Sequence, residues 1–368
     1  MYTRHSEITF KNYKHMINKL RDKGMIIDNE YLAIELLKSR GYYNLINRYK
    51  EEFTIPNTKN FQPNTHITDL YYYHRIEDDL RNILFKFTIN FEQRFKETMS
   101  YILAKQLGVS PKKYLDPINF RNKRKAKSIT SFILMQVEKC NDNPTKYYKD
   151  EYDYVPPWIM LSNLSLGQTR MLFSIFPYSM TKYVVSELLP IHNYRNKKYD
   201  YQSSLRLVAY ENMGNIRNDS DIDKFVLQLI ETTRNMITII KDFRNAFAHG
   251  NRIVNFHSSQ SLKYNSLNIF IKENTVTRKE FFNNGLGRND LFAFLISLIL
   301  LMDKYDSIYM IDQLSIWEKN NTKSQHSKTS FYKFIKSCRL PTNFIQRLEK
   351  IEIEKTIAKE KEDFRQFF

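Results

Sequence analysis

Glycine and proline are scarce in this chain, with 8 and 10 among 368 residues. A turn-dense all-β fold needs more of both, so the composition points to long helices. Cysteine is scarcer still. Cys140 and Cys338 stand far apart and offer neither a metal-ligand spacing nor a disulfide framework, so no metal site is expected and a reducing, cytoplasmic setting is. The first residues lack the apolar run of a secretory signal. The most apolar stretch, Leu291 to Met302, is too short to span a bilayer and has Asp290 and Asp303 at its edges. It reads as a buried helix, and no membrane partner is expected. Negative charge is also in deficit. Forty Asp and Glu against 57 Lys and Arg leave a net charge of +17. A surplus of that size suits a polyanionic partner such as RNA, or a merely basic surface.

What is present is helical periodicity. Residues 8–23 carry apolar positions near helical spacing and stop at Gly24, and Asp28 can cap a second helix ending at Gly41. Residues 54–65 (TIPNTKNFQPNT) read as a loop and the first boundary. A very long helix is predicted from about Ile67 to Leu107, with Leu70, Tyr73, Ile76, Leu80, Leu84, Phe87, Phe91, Phe95, Met99 and Ile102 on one stripe. Asp78, Asp79, Arg81, Glu92, Arg94 and Lys96 are expected on its solvated or partner-facing sides. Residues 267–276 alternate like a β-hairpin, and 320–328 look like a linker. The resulting division is an N-terminal helical arm (1–64), a helical core (65–318) and a C-terminal helical extension (319–368). The fold class is all-α, a helical bundle with that one small hairpin.

Two basic clusters stand out. Arg121, Lys123, Arg124, Lys125 and Lys127 precede a helix predicted over 129–140, where cations oppose the helix dipole. Arg195, Lys197 and Lys198 are interleaved with tyrosines. Both suit phosphates and stacked bases, and both equally suit solvated surface.

A third stretch carries chemistry. A helix predicted from Asp221 ends in Arg244-Asn-Ala-Phe-Ala-His249, closed by Gly250. The spacing alone is weak, because Arg252 and His257 repeat it without the asparagine. The conjunction of Arg-Asn, a helix end and a closing glycine is more specific. RNA can be cleaved without metal when its 2′-OH attacks the adjacent phosphate. That step needs a base, an acid and a cation for the extra negative charge. His249 can move the proton, Arg244 can hold the phosphate, and Asn245 can orient either one. One imidazole does not serve both sides of an in-line reaction, so two copies are expected to meet in a homodimer. No cofactor is expected.

At this motif the sequence resembles the HEPN superfamily, whose signature is Arg-Asn followed shortly by His. More widely it resembles the bacterial abortive-infection AbiD/AbiF family. The resembling stretches are 26–30 (IIDNE), 40–49 (RGYYNLINRY), 70–81 (LYYYHRIEDDLR), 91–94 (FEQR), 157–167 (PWIMLSNLSLG) and 243–252 (FRNAFAHGNR), followed by the apolar helix after Asp290. The resemblance implies an all-α HEPN core, metal-independent endoribonuclease activity and a role in phage defence. It makes Arg244 and His249 the catalytic pair with Asn245 in support. It also makes a bound structured non-coding RNA worth proposing, with the protein as a non-catalytic binder in the alternative case.

Overall fold

The long apolar stripe sets the architecture. A computed structural model describes residues 9–190, 201–213, 218–271 and 274–355. Helix α1 (Tyr13–Arg21) and α2 (Glu30–Arg40) lead to α3 (Ile67–Leu107), an unbroken helix of 41 residues. At 1.5 Å per residue it is about 60 Å long. All ten stripe residues named above are buried along it. Its first turn is tied by Asp69, which accepts from the His66 N–H at 2.8 Å. Its last turn stops at Gly108, whose φ of 81° lies in the left-handed region that glycine adopts without strain.

The remaining helices wrap this axis. Among them are α4 (Lys123–Lys139), α5 (Pro157–Ser162), α6 (Leu166–Ser174), α7 (Tyr178–Leu188) and α8 (Tyr201–Asn212). Then come α9 (Asp219–Ala248), α10 (Arg278–Asn284), α11 (Leu291–Leu301), α12 (Lys304–Asn321), α13 (Gln325–Ser337) and α14 (Phe344–Lys355). The fold is an all-α bundle with one continuous apolar core running from Ile17 to Ile351. Helix α11 is buried on every side, as its composition demands. Asp290 caps it by accepting from the Ala293 N–H at 2.9 Å.

Four expectations need correction. The hairpin over 267–276 does not form among the described residues. Leu267 instead closes a helical turn, Tyr264–Leu267, and the Ile271 N–H reaches the Leu267 carbonyl at 3.1 Å. The two-residue alternation there had no partner strand to satisfy its backbone. The linker at 320–328 shrinks to a turn at 322–324, because α12 runs through Asn321 and α13 starts at Gln325. The α13 residue Phe334 packs on Tyr73 of α3 with ring centroids 5.3 Å apart. The basic run largely does not precede its helix: Arg121 lies before it, but Lys123 to Lys127 form the first turns of α4. Asn122 caps it there, accepting from the Lys125 N–H at 3.2 Å.

The fourth correction concerns the charges of α3. Asp79 is exposed, but Arg81 and Glu92 are buried and Asp78, Arg94 and Lys96 are half-buried. Arg94 shows why. Its guanidinium donates to the Leu301 carbonyl at 2.6 Å and the Glu187 carbonyl at 2.7 Å. These are orphan carbonyls at the ends of α11 and α7, which a helix cannot satisfy by itself.

Candidate functional site

Helix α9 carries the Arg-Asn…His motif at its C-terminal end. Asn218 caps its start, accepting from the Asp221 N–H at 3.1 Å, and Asp219 and Asp221 suit the positive end of the dipole. Val226, Leu229, Ile230, Ile237, Ile240, Phe243 and Phe247 hold the helix to the core. Phe243 stacks on Phe294 of α11 with centroids 4.8 Å apart. His249 is the C-cap residue, its N–H bonded to the Asn245 carbonyl at 3.1 Å. The chain then turns at Gly250, with φ of 63°.

Arg244 and His249 do not share a face of the helix, whereas Asn245, four residues before His249, lies on the His249 side. Five residues on an α-helix turn through about 500°, so Arg244 and His249 project about 140° apart around the axis. Arg244 points toward α3, where its Nε lies 3.4 Å from Glu92 Oε2. Glu92 also holds Lys96 at 2.7 Å. Beside this trio opens a cleft of about 430 Å³ lined by Ile89, Gln93, Trp158, Ser162 and Arg244. Trp158 is 40% exposed at its edge. Asn245 is half-buried, and His249 is exposed at the helix end. No hydrogen bond to a described residue occupies the His249 imidazole. Asp242, on the same polar stripe, is fully engaged elsewhere. It accepts from Ser258 Oγ and Ser259 Oγ, each at 2.7 Å. Glu231 pairs with Lys263 at 3.2 Å, away from the motif.

What fixes the loop after His249 is a carboxylate that the sequence reading passed over. Glu77 of α3 is wholly buried. One oxygen accepts the Tyr49 hydroxyl and lies 3.3 Å from Arg48 and 3.2 Å from Arg81. The other accepts the backbone N–H groups of Ile253 and Val254. Arg252 pairs with Glu52. Asp78, one residue on, is surrounded by Arg40 at 3.4 Å, His74 at 3.1 Å and Arg81. Burial pushes the Asp78 carboxyl up, but His74 and Arg81 outweigh it and hold it down at about 2. A signal for Glu77 was present: it falls on the apolar stripe, four residues after Tyr73 and three before Leu80. A carboxylate there had to be either an interruption or a buried hub.

The predicted phosphate-binding residues divide. Arg121 is committed to structure, donating to the Phe176 carbonyl at 2.7 Å beyond the end of α6. Lys123 donates to the Ile118 carbonyl. Arg124, Lys125 and Lys127 are exposed. Arg195, Lys197 and Lys198 lie outside the described residues. Among the described residues, no three His, Cys, Asp or Glu side chains come together as metal ligands. No described helix is long and apolar enough to cross a membrane.

An all-α scaffold that presents Arg-Asn…His at a helix end, with the following loop pinned by a buried glutamate, defines the class. The chain belongs to the family of Abi-like proteins, which matches residues 35–255. That span encloses every residue bonded to Glu77 as well as the whole motif. No curated protein and no solved structure matches the chain.

Proposed function

We propose that this abortive-infection protein acts in phage defence as a HEPN-type, metal-independent endoribonuclease. The observation that supports this best is the exposed imidazole of His249, which no described residue hydrogen-bonds, at a helix end just before the loop that Glu77 fixes. His249 exchanges the proton of the 2′-OH or of the leaving oxygen. Arg244 carries the phosphate charge from the cleft edge, Asn245 supports the imidazole, and Trp158 offers a face for a base. In a homodimer the second copy completes each site, with Arg244 from one copy and His249 from the other.

The Arg244–Glu92 pair favours a second reading. On that reading Glu92 holds Arg244 in a structural role, and the +17 chain binds a structured RNA without cutting it. The experiment incubates labelled RNA with the purified protein in EDTA and analyses product ends by mass spectrometry. Cleavage leaving 2′,3′-cyclic phosphate, lost in both His249→Ala and Arg244→Ala, supports the ribonuclease. Salt-sensitive binding without product moves the assignment to the binder.

A further inference from the structure

Away from the motif, four lysines face one cavity. A cleft of about 390 Å³ lies where the end of α1, the short helical segments Tyr43–Asn47 and Lys50–Phe53, and the loop 54–61 meet. Lys19 and Lys23, four residues apart at the end of α1, line it together with Lys50 and Lys59. Lys19 and Lys23 are half-buried, and Lys50 and Lys59 are exposed, so all four ammonium groups are open to a ligand. Among the described residues, none of the four pairs with a carboxylate. The nearby acids are spent elsewhere: Glu30 pairs with Arg21 at 2.9 Å, and Glu52 pairs with Arg252. Glu51 also lines the cleft, one carboxylate against four cations. The negative end of the α1 dipole favours Lys19 and Lys23, but Lys50 and Lys59 arrive from other elements. Burial lowers the pKa of Lys23, and the charges of Lys19, Lys50 and Lys59 lower it further.

The walls of the cleft are fixed. The Phe61 N–H donates to the Lys23 carbonyl at 2.8 Å, which ties the loop to the end of α1, and the Ile55 N–H donates to the Asn60 carbonyl at 2.9 Å. On the reverse side Glu77 holds Arg48 and Tyr49, and Arg252 holds Glu52, so Lys50 sits on an anchored turn. Like charges held together repel, and the repulsion becomes attraction once an anion lies among them. The cleft is also larger than a lone phosphate needs, and its volume falls within the usual range of small-molecule pockets, about 300–1,000 Å³. Leu20, Ile46 and Phe61, all buried, give it an apolar wall. Tyr42 and Asn47 line it too, and neither side chain is hydrogen-bonded to a described residue.

We propose that this cleft binds a nucleoside polyphosphate, with the four lysines on the phosphates and Tyr42 and Asn47 on the nucleoside. Lysine ammonium groups suit phosphate oxygens as point charges, and four of them suit a chain of two or three phosphates. The apolar wall and the two hydrogen-bonding side chains suit a flat ring with a polar edge, which an inorganic polyphosphate lacks. A nucleoside polyphosphate occurs free and at the 5′ end of an RNA, and the two sources separate experimentally. The site shares no residue with Arg244, Asn245 or His249 and does not rest on the ribonuclease reading.

The test titrates ATP and GTP into the full chain by calorimetry, beside inorganic tripolyphosphate and an RNA 12-mer carrying either a 5′-triphosphate or a 5′-hydroxyl. A nucleotide is expected to bind saturably, one per chain, and more tightly than tripolyphosphate. Lys23→Gln and Lys50→Gln should each weaken binding about tenfold, the size of one charge-assisted hydrogen bond. Lys139→Gln, an equal loss of charge at an exposed position outside the cleft, should leave it unchanged. Without ligand, Lys23→Gln and Lys50→Gln should melt at or above the wild-type temperature, because like charges have been separated. Binding of the 5′-triphosphorylated RNA through the same lysines, with ATP and GTP silent, would keep the site and place its nucleoside at an RNA end. No binding of either nucleotide or of the 5′-triphosphorylated RNA would overturn the proposal, as would unchanged affinity in both lysine variants. Tripolyphosphate binding as tightly as ATP and GTP would overturn the nucleoside, and early melting of both variants would make the lysines structural. If the wild type fails to cleave RNA in EDTA, only the ribonuclease reading falls, because this titration measures binding alone.

Discussion

Replacing Glu77 with glutamine keeps its shape and removes its charge. Arg48 and Arg81, each with a side chain only 11% exposed, then lose the carboxylate between them. Arg81 retains Asp78, but Arg48 keeps only the ring of Tyr49, with 5.6 Å from guanidinium to ring centre. Breaking a buried ion pair from one side costs about 3–5 kcal/mol, most of it the stranded charge. For 368 residues, an unfolding entropy near 2.1 cal/mol/K per residue converts this to a fall in Tm of about 4–6 °C. Calorimetry on Glu77→Gln measures it, with Asp79→Asn as the exposed control two residues away, expected within about 0.5 kcal/mol of wild type. Arg48→Met combined with Glu77→Gln should cost less than the two single changes together, because both remove the same pair. A Glu77→Gln protein melting within about 1 °C of wild type would refute the hub, and with it the claim that α3 fixes the loop after His249.

Three further outcomes follow from the charges. The bidentate hydrogen bonds from Arg347 hold the Glu280 carboxyl at about 2, against burial and together with Thr277. A carboxylate with a lowered folded pKa adds stability above its unfolded value near ~4.3 and loses it toward pH 2, so Arg347→Met should flatten that acid limb in a Tm-against-pH series. Asp306 behaves oppositely: burial and then Asp303 raise it to about 6, so its charge opposes folding as pH rises past the unfolded value. Asp306→Asn should therefore melt higher than wild type at pH 7.5 and level with it at pH 4, while keeping a bond to Asn90. Asp290→Ala removes the cap that accepts from Ala293 and Gly287, and should cost about 1–2 kcal/mol in denaturant unfolding.

Much of the fold was legible because the strongest signals are local. The stripe from Leu70 to Ile102 keeps its period for nine turns without a breaker, and Gly108 ends it where the apolar residues end. The same holds for α9, whose C-cap at His249 was readable from Gly250. The charged faces were not legible, since their partners come from far along the chain. Glu77 finds Arg48 and the Ile253 N–H, Arg94 finds two helix ends, and Glu92 finds Arg244. Charge alone does not separate a solvated face from a face covered by distant cations and carbonyls. The alternation at 267–276 misled for the same reason, because a strand is defined by its partner and none is supplied.

The composition of the candidate site now turns on helix geometry. Arg244 faces α3 and the cleft, whereas His249 faces outward at the end of α9, about 140° around the helix. If one phosphate requires both, the two come from different copies, in a symmetric dimer that forms two equal sites. Arg244→Ala and His249→Ala are then each inactive as homodimers. When the two variants are coexpressed, half of the dimers are mixed, and each mixed dimer contains one site with both native groups. Cleavage should return to about one quarter of the wild-type rate per chain. If both groups serve from the same copy, every site in the mixture lacks one of them and no activity returns. Restoration in the mixture, measured against each variant alone, therefore separates a shared site from a self-contained one.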